Sequence, residues 1–147
     1  MRRFALCLLL LALAAASHAA REENVDALKA RVEKASADDL PELCIRIAQQ
    51  QLRNADKLYT EGHVDEAHAA VDDIATYTEK ARDAAIQTNK RLKNVEIDAR
   101  KMSERLNDIK RTLAFEDQAP VEQVIHRLED VRTSLLKEMF STKKDRK

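Results

Sequence analysis

The sequence predicts an all-α fold, an elongated antiparallel helical bundle or coiled coil built on one long spine helix. Three observations carry that reading. The 147 residues include one Gly and two Pro, whereas average usage is about 7% and 5%. The turn chemistry of a β-sandwich, a barrel or a nucleotide-binding α/β fold is therefore missing. Charged residues make up 35% of the chain, aromatic residues 3%, and no Trp occurs. From Val64, apolar or small residues recur at spacings of three and four: Val64, Ala67, Val71, Ile74, Thr78, Ala81, Ala85, Thr88, Leu92, Val95, Ala99, Met102, Leu106, Ile109 and Leu113. That is a 3.5-residue repeat held over about seven heptads, the pattern of a helix whose seam faces partner helices throughout.

The N-terminus reads as an export signal. Met1-Arg2-Arg3 gives a positive start, Phe4 to Ala16 is an unbroken apolar run, and Ser17-His18-Ala19 supplies small residues at the cleavage positions. Residues 1–19 are predicted to be cleaved, after Ala19 or Ala20. The run is too short for the ~20 apolar residues that span a bilayer. Leu6 before Cys7 does not fit a lipoprotein signal. The exported protein, periplasmic or secreted, with a signal format that suits a bacterium, would then be slightly acidic. No second apolar stretch follows, so no transmembrane segment is expected in it. Only Cys44 remains, and in an oxidising compartment it is either a buried thiol or an intermolecular disulfide partner.

Residues 20–141 read as a single helical domain. The first helix, about 23–35, repeats Val25, Leu28, Val32 and Ala35. It stops before Asp38-Asp39-Leu40-Pro41, where Pro41 disfavours helix at the preceding residue. A helix at about 40–60 carries Ile45, Ala48, Leu52, Ala55 and Tyr59 and ends at Gly62, the one residue that takes a left-handed cap without a Cβ clash. The spine, about 63–115, has Asp65 and Glu66 in its first turn, where acids suit the helix dipole. As one helix it would reach ~75 Å. Pro120 opens the last helix, about 120–141, with Val121, Val124, Leu128, Val131 and Leu135 on one stripe. Short connections place the helices before and after the spine antiparallel to it.

Each cover helix is ~31 Å long, so the two leave the middle of the spine, around Ala85 to Val95, thinly protected. Ala70, Ala75, Tyr77 and Ala84 widen the apolar face of the first half, whereas Arg91, Glu96, Asp98, Arg105 and Lys110 border the second. A wide face takes two partners and a narrow one takes a single partner. The expectation is a three-helix bundle at one end and a two-helix hairpin at the other, unless the first helix runs past Pro41 to cover the middle. The narrow half, with Leu92, Val95, Met102, Leu106, Ile109 and Leu113 as an interaction seam, suits a protein partner or a second copy of the chain.

Residues 55–74, ADKLYTEGHVDEAHAAVDDI, resemble a tetratricopeptide hairpin, with Ala55, Leu58, Ala67 and Val71 at its small and aromatic positions. Gln51, Asn54 and Glu79 depart from it, and no second repeat follows. The same stretch resembles the last hairpin of cytochrome b562, a four-helix haem protein. The axial His of that family falls on Arg82 here, and no Cys-x-x-Cys-His is present, so no cofactor is carried over.

The remaining chemistry is sparse. His68 and Asp72 are four apart with Asp65 on the same face, a weak set of metal candidates with too few ligands for a zinc site. Ser103, Ser134 and Ser141 have no recognisable base, no Gly-rich loop cradles phosphate, and the carboxylates are scattered over polar faces. Residues 142–147 form a basic flexible tail that suits contact with an anionic surface. The balanced charge and scarce aromatics point away from nucleic acid. The expected function is an exported non-enzymatic scaffold, oligomerisation or client-holding module of the cell envelope. The alternative is a ligand- or metal-binding helical bundle.

Overall fold

A computed structural model describes residues 24–144, with side chains to residue 141, so residues 1–23, where the export signal is expected, and residues 145–147 lie outside the described residues. Among the described residues the chain is all-α: α1 (Val25–Val32), α2 (Leu40–Glu61), α3 (Val64–Thr88), α4 (Leu92–Thr112) and α5 (Gln118–Lys144), with a single 3-10 turn at Phe115–Asp117 and no strand. Helix α1 is shorter than its stripe suggested, while α5 runs three residues into the segment read as a tail.

The predicted spine is not one helix. It breaks at Asn89-Lys90-Arg91, where Asn89 (φ 52°) and Arg91 (φ 60°) are left-handed. The Asn89 N–H donates to the Ile86 carbonyl and the Lys90 N–H to the Ala85 carbonyl, each at 3.2 Å. This is a Schellman cap, with Asn in the left-handed position that Gly usually takes. The α2–α3 turn is written the same way. Gly62 (φ 82°) donates to Tyr59, and His63 donates to Leu58. One fold device thus closes both connections, and only one of them carries a Gly.

Folding at Asn89 turns a ~75 Å rod into two antiparallel helices of ~38 and ~32 Å. Three cross-pairs fix the register of α4 on α2: Arg91 with Glu42, Gln49 with Asp98 and Arg105 with Asp56. The offset is the same in each pair, so α2 and α4 run parallel and rise together in seven-residue steps. Arg132 on Glu96 and Lys110 on Glu122 align α5 antiparallel to α4. Arg127 reaches Asp72 and Glu79 of α3. Two antiparallel hairpins, α2–α3 and α4–α5, therefore stack with α2 over α4 and α3 over α5.

This arrangement consumes the heptad seam inside the chain. Ala67, Val71, Ile74, Thr78, Ala81 and Ala85 from α3, and Leu92, Val95, Ala99, Met102, Leu106 and Ile109 from α4, are all buried. Helix α5 adds Val121, Val124, Leu128, Val131 and Leu135 to the same core. The middle expected to be thinly protected is where the chain turns, and Ala85 and Val95 on either side are covered. Each large aliphatic side chain withdrawn from water contributes ~1.5–3 kcal/mol, so closing the seam on itself outweighs the left-handed strain at two residues.

Helix α1 lies outside the four-helix core against α2 and α3, with Leu28 packed on Leu43 and Ile47 and with Tyr77 of α3 alongside. Asn24 caps it by accepting from the Asp26 N–H at 2.9 Å. Lys29 donates to Asp73 at 2.8 Å, and Gln51 donates to the same oxygen at 2.7 Å. The three-helix layer expected around the wide half of the stripe is present as α1, α2 and α3.

Candidate functional site

The seam residues proposed as an interaction surface are unavailable to a partner. Leu92, Val95, Met102, Leu106 and Ile109 are buried, and Leu113 is half-buried against the same core. The correction follows from the turn at Asn89: a seam needing outside cover in a continuous spine is covered by α5, α2 and α3 once the spine folds.

Cys44 is fully buried in the core, and burial pushes its thiol up to about 11. The thiolate, which is the reactive form, is strongly disfavoured there. The intermolecular-disulfide alternative is corrected to a buried thiol.

The candidate metal ligands do not assemble. Asp72 accepts from Arg127 at 2.7 Å, and Asp65 is exposed near the start of α3. His68 turns inward and meets the Tyr59 ring edge-on, with centroids 5.8 Å apart. Among the described residues, no three His, Cys, Asp or Glu side chains come together as a metal site. The His68 Nε2 and the Tyr59 hydroxyl oxygen are both buried, and neither has a hydrogen-bond partner among the described residues. Burial, reinforced by the nearby Asp117 carboxylate, pushes the Tyr59 hydroxyl up to about 12.

The helix interfaces carry charge in a lace. Arg127 grips Glu79 with two hydrogen bonds of 2.8 Å and also holds Asp72. The Arg127 guanidinium holds Glu79 below the usual carboxylate range. Arg132 bridges Glu96 and Glu129, and Glu129 accepts from the buried Ser103 hydroxyl at 2.8 Å. These groups tie α3, α4 and α5 to one another and are spent on that task. Asp98 differs from them. Burial raises its carboxyl, and its contact from Gln49 is long at 3.4 Å.

Among the described residues two large apolar side chains stand exposed, one toward each end of the bundle. Phe115 is 88% exposed and Phe140 is 69% exposed. Phe115 leads the 3-10 turn between α4 and α5, at the end where Gly62 joins α2 to α3. Glu61, Asp65, Glu66, Glu116 and Asp117 lie around these two connections, together with Lys110 and Arg111 in the last turn of α4. Phe140 lies at the opposite end, level with the Asn89–Arg91 turn, where Lys90 and Arg91 pair with Asp38 and Glu42 and Lys93 is exposed, and the sequence continues into Lys143, Lys144, Arg146 and Lys147. Neither ring stands on a stripe: Phe115 follows Leu113, the last seam position, and Phe140 is five residues beyond Leu135, off the buried stripe. That misfit with the stripe was the signal that could have found them.

No helix of the described residues is long and apolar enough to cross a membrane. The chain matches no family model, no curated protein and no solved structure, so neither hairpin resemblance gains support from a relative.

Proposed function

We propose that this is an exported, non-enzymatic helical scaffold of a bacterial cell envelope that makes its contacts through the two ends of the bundle. The observation that carries the reading is the placement of Phe115 and Phe140. The core closes on Leu, Ile, Val and Ala, while both phenylalanines of the described chain are left in water. Exposed aromatic rings are the commonest anchors of protein interfaces, since a ring supplies a large apolar area at small entropic cost. A rigid ~40 Å bundle with an anchor at each end holds two contacts at a fixed separation. The sequence after each ring differs in charge, Glu116-Asp117 after Phe115 and Lys143, Lys144, Arg146 and Lys147 after Phe140, so the two ends suit different partners.

Export rests on the arginine start, the apolar run and the small residues before Arg21. Sequencing the N-terminus of the protein from the envelope fraction tests it. A start at Ala20 or Arg21 supports export, and full-length protein in the cytoplasm refutes it. A photo-crosslinking phenylalanine analogue at 115 or 140 tests the end contacts, with Thr133 on the exposed flank of α5 as the control. Discrete crosslinked products from the end positions and none from 133 support the reading. Equal labelling at all three positions overturns it.

A further inference from the structure

We propose that the groove between α2 and α4 binds a small aliphatic amino acid, its ammonium group on Asp98 and its carboxylate on Arg46. The site lies on the flank of the bundle, away from both exposed rings, and is independent of the end-contact reading. A concavity of about 250 Å³ opens there. Sites for drug-sized molecules run to roughly 300–1,000 Å³, so this one suits a smaller molecule. At about 30 Å³ of liquid volume per water it has the room of roughly eight waters. Because α2 and α4 rise together in parallel, their facing residues line it as two walls. Glu42, Arg46 and Gln49 recur at four and three along α2 and form one wall, while Arg91 and Asp98, seven apart on α4, stand on the other. Pro41, Ile45 and Val95, all buried, make an apolar floor.

The charges on the two walls are not matched alike. At one level Glu42 takes Arg91 at 2.8 Å. One heptad along, Asp98 accepts from Gln49 at 3.4 Å, and no cation pairs with it among the described residues. The other carboxylates at the contacts of α4 are met by arginine, Asp56 by Arg105 at 2.7 Å and Glu96 by Arg132 at 3.0 Å. Asp98 is thus a carboxylate drawn partly out of water without a counter-charge, and burial raises its carboxyl against the pull of Lys101. Arg46 stands on the opposite wall, three residues before Gln49 and so ~4.5 Å along α2. Its guanidinium carries five N–H donors, more than one partner uses. An ammonium and a carboxylate on one carbon span such a separation, each making its own charge-assisted bond, and an aliphatic side chain then covers Ile45 and Val95. A simple amine would meet Asp98 but bring nothing to Arg46, and a simple acid the reverse.

Titration of the purified protein with L-leucine, read from the backbone amide resonances, is the test. Isoamylamine and 4-methylpentanoate, which are leucine without its carboxylate and without its ammonium group, are the matched probes. Saturable shifts confined to residues 41–49 and 91–98 are expected with L-leucine, and either matched probe should bind at least roughly tenfold more weakly. Asp98→Asn relieves a buried charge and keeps the fold. It should weaken L-leucine roughly tenfold to a hundredfold and leave 4-methylpentanoate unchanged. Arg46→Gln should weaken L-leucine and leave isoamylamine unchanged. Asp108→Asn, at an exposed position of α4, should bind as the parent does. The proposal is overturned by no saturable shift with L-leucine, by shifts scattered over the whole surface, by the amine or the acid binding as tightly as L-leucine, or by Asp98→Asn binding undiminished.

Discussion

Replacing Asn89 by Gly and, separately, by Ala separates a folded spine from a continuous one by the sign of a single difference. In the turn, Asn89 holds φ 52° and donates the N–H that closes the cap onto Ile86. A residue with a Cβ loses ~1–2 kcal/mol in the left-handed region, Asn less than most, and Gly nothing. Asn89→Gly is therefore expected to stabilise by about 0.5 kcal/mol and Asn89→Ala to destabilise by about the same, leaving Gly above Ala by ~1 kcal/mol. In an unbroken helix the order reverses, because Gly is ~1 kcal/mol worse than Ala in a helix interior. The two geometries thus differ by ~2 kcal/mol in the Gly-minus-Ala gap. Urea unfolding followed by circular dichroism at 222 nm reads the gap, and thermal unfolding should show it as roughly 3–5 °C for a chain of this size. Greater stability for Ala than for Gly at position 89 would refute the turn and the sealed seam with it.

Three further outcomes follow from the same structure. Asp98 is raised by burial, so its ionised form weakens the folded state at neutral pH, and that cost disappears as pH falls through the folded value and below 3.8; Asp98→Asn should raise Tm by about 1–2 °C at pH 7 and give no gain near pH 3. Glu79 is lowered by Arg127, so its contribution is complete above about pH 4.5 and is lost as pH falls through the depressed value. Glu79→Gln should cost ~1 kcal/mol at pH 7 and much less at pH 3, and an equal cost at both would show that the ion pair is not its source. Cys44, buried with its thiol pushed up to about 11, should be silent to a thiol reagent at pH 8 in native protein and titrate fully in urea. Rapid native labelling would place it on the surface.

Much of the helical organisation was legible because apolar periodicity, Gly62, Pro41 and Pro120 report local physics. The stripe also named the core correctly, since nearly every seam position from Ala67 to Ile109 is buried. The turn at Asn89 was hidden for a specific reason. The spacing from Thr88 to Leu92 is four, so a three-residue excursion between two helices left the heptad rhythm unbroken. Asn-Lys-Arg announces a left-handed cap far less clearly than Gly does. From that one missed turn came the ~75 Å rod, the exposed middle and the seam offered to a partner. The metal candidates failed differently. Sequence spacing put His68 on a face with Asp65 and Asp72 but carried no word of Tyr59 across the hairpin or of Arg127 from α5. Those partners are set by the stacking of two hairpins, which no single-helix pattern encodes.

Small-angle X-ray scattering of the chain without its first twenty residues, over a concentration series, bears most directly on whether one chain seals its own seam. A self-closed bundle of this length predicts a radius of gyration of roughly 14–16 Å that is independent of concentration. A continuous spine ~75 Å long, or a pair of chains joined along it, would give about 22 Å or more and a maximum dimension beyond 70 Å, and that result would contradict the fold at Asn89 and the assignment of contacts to the ends.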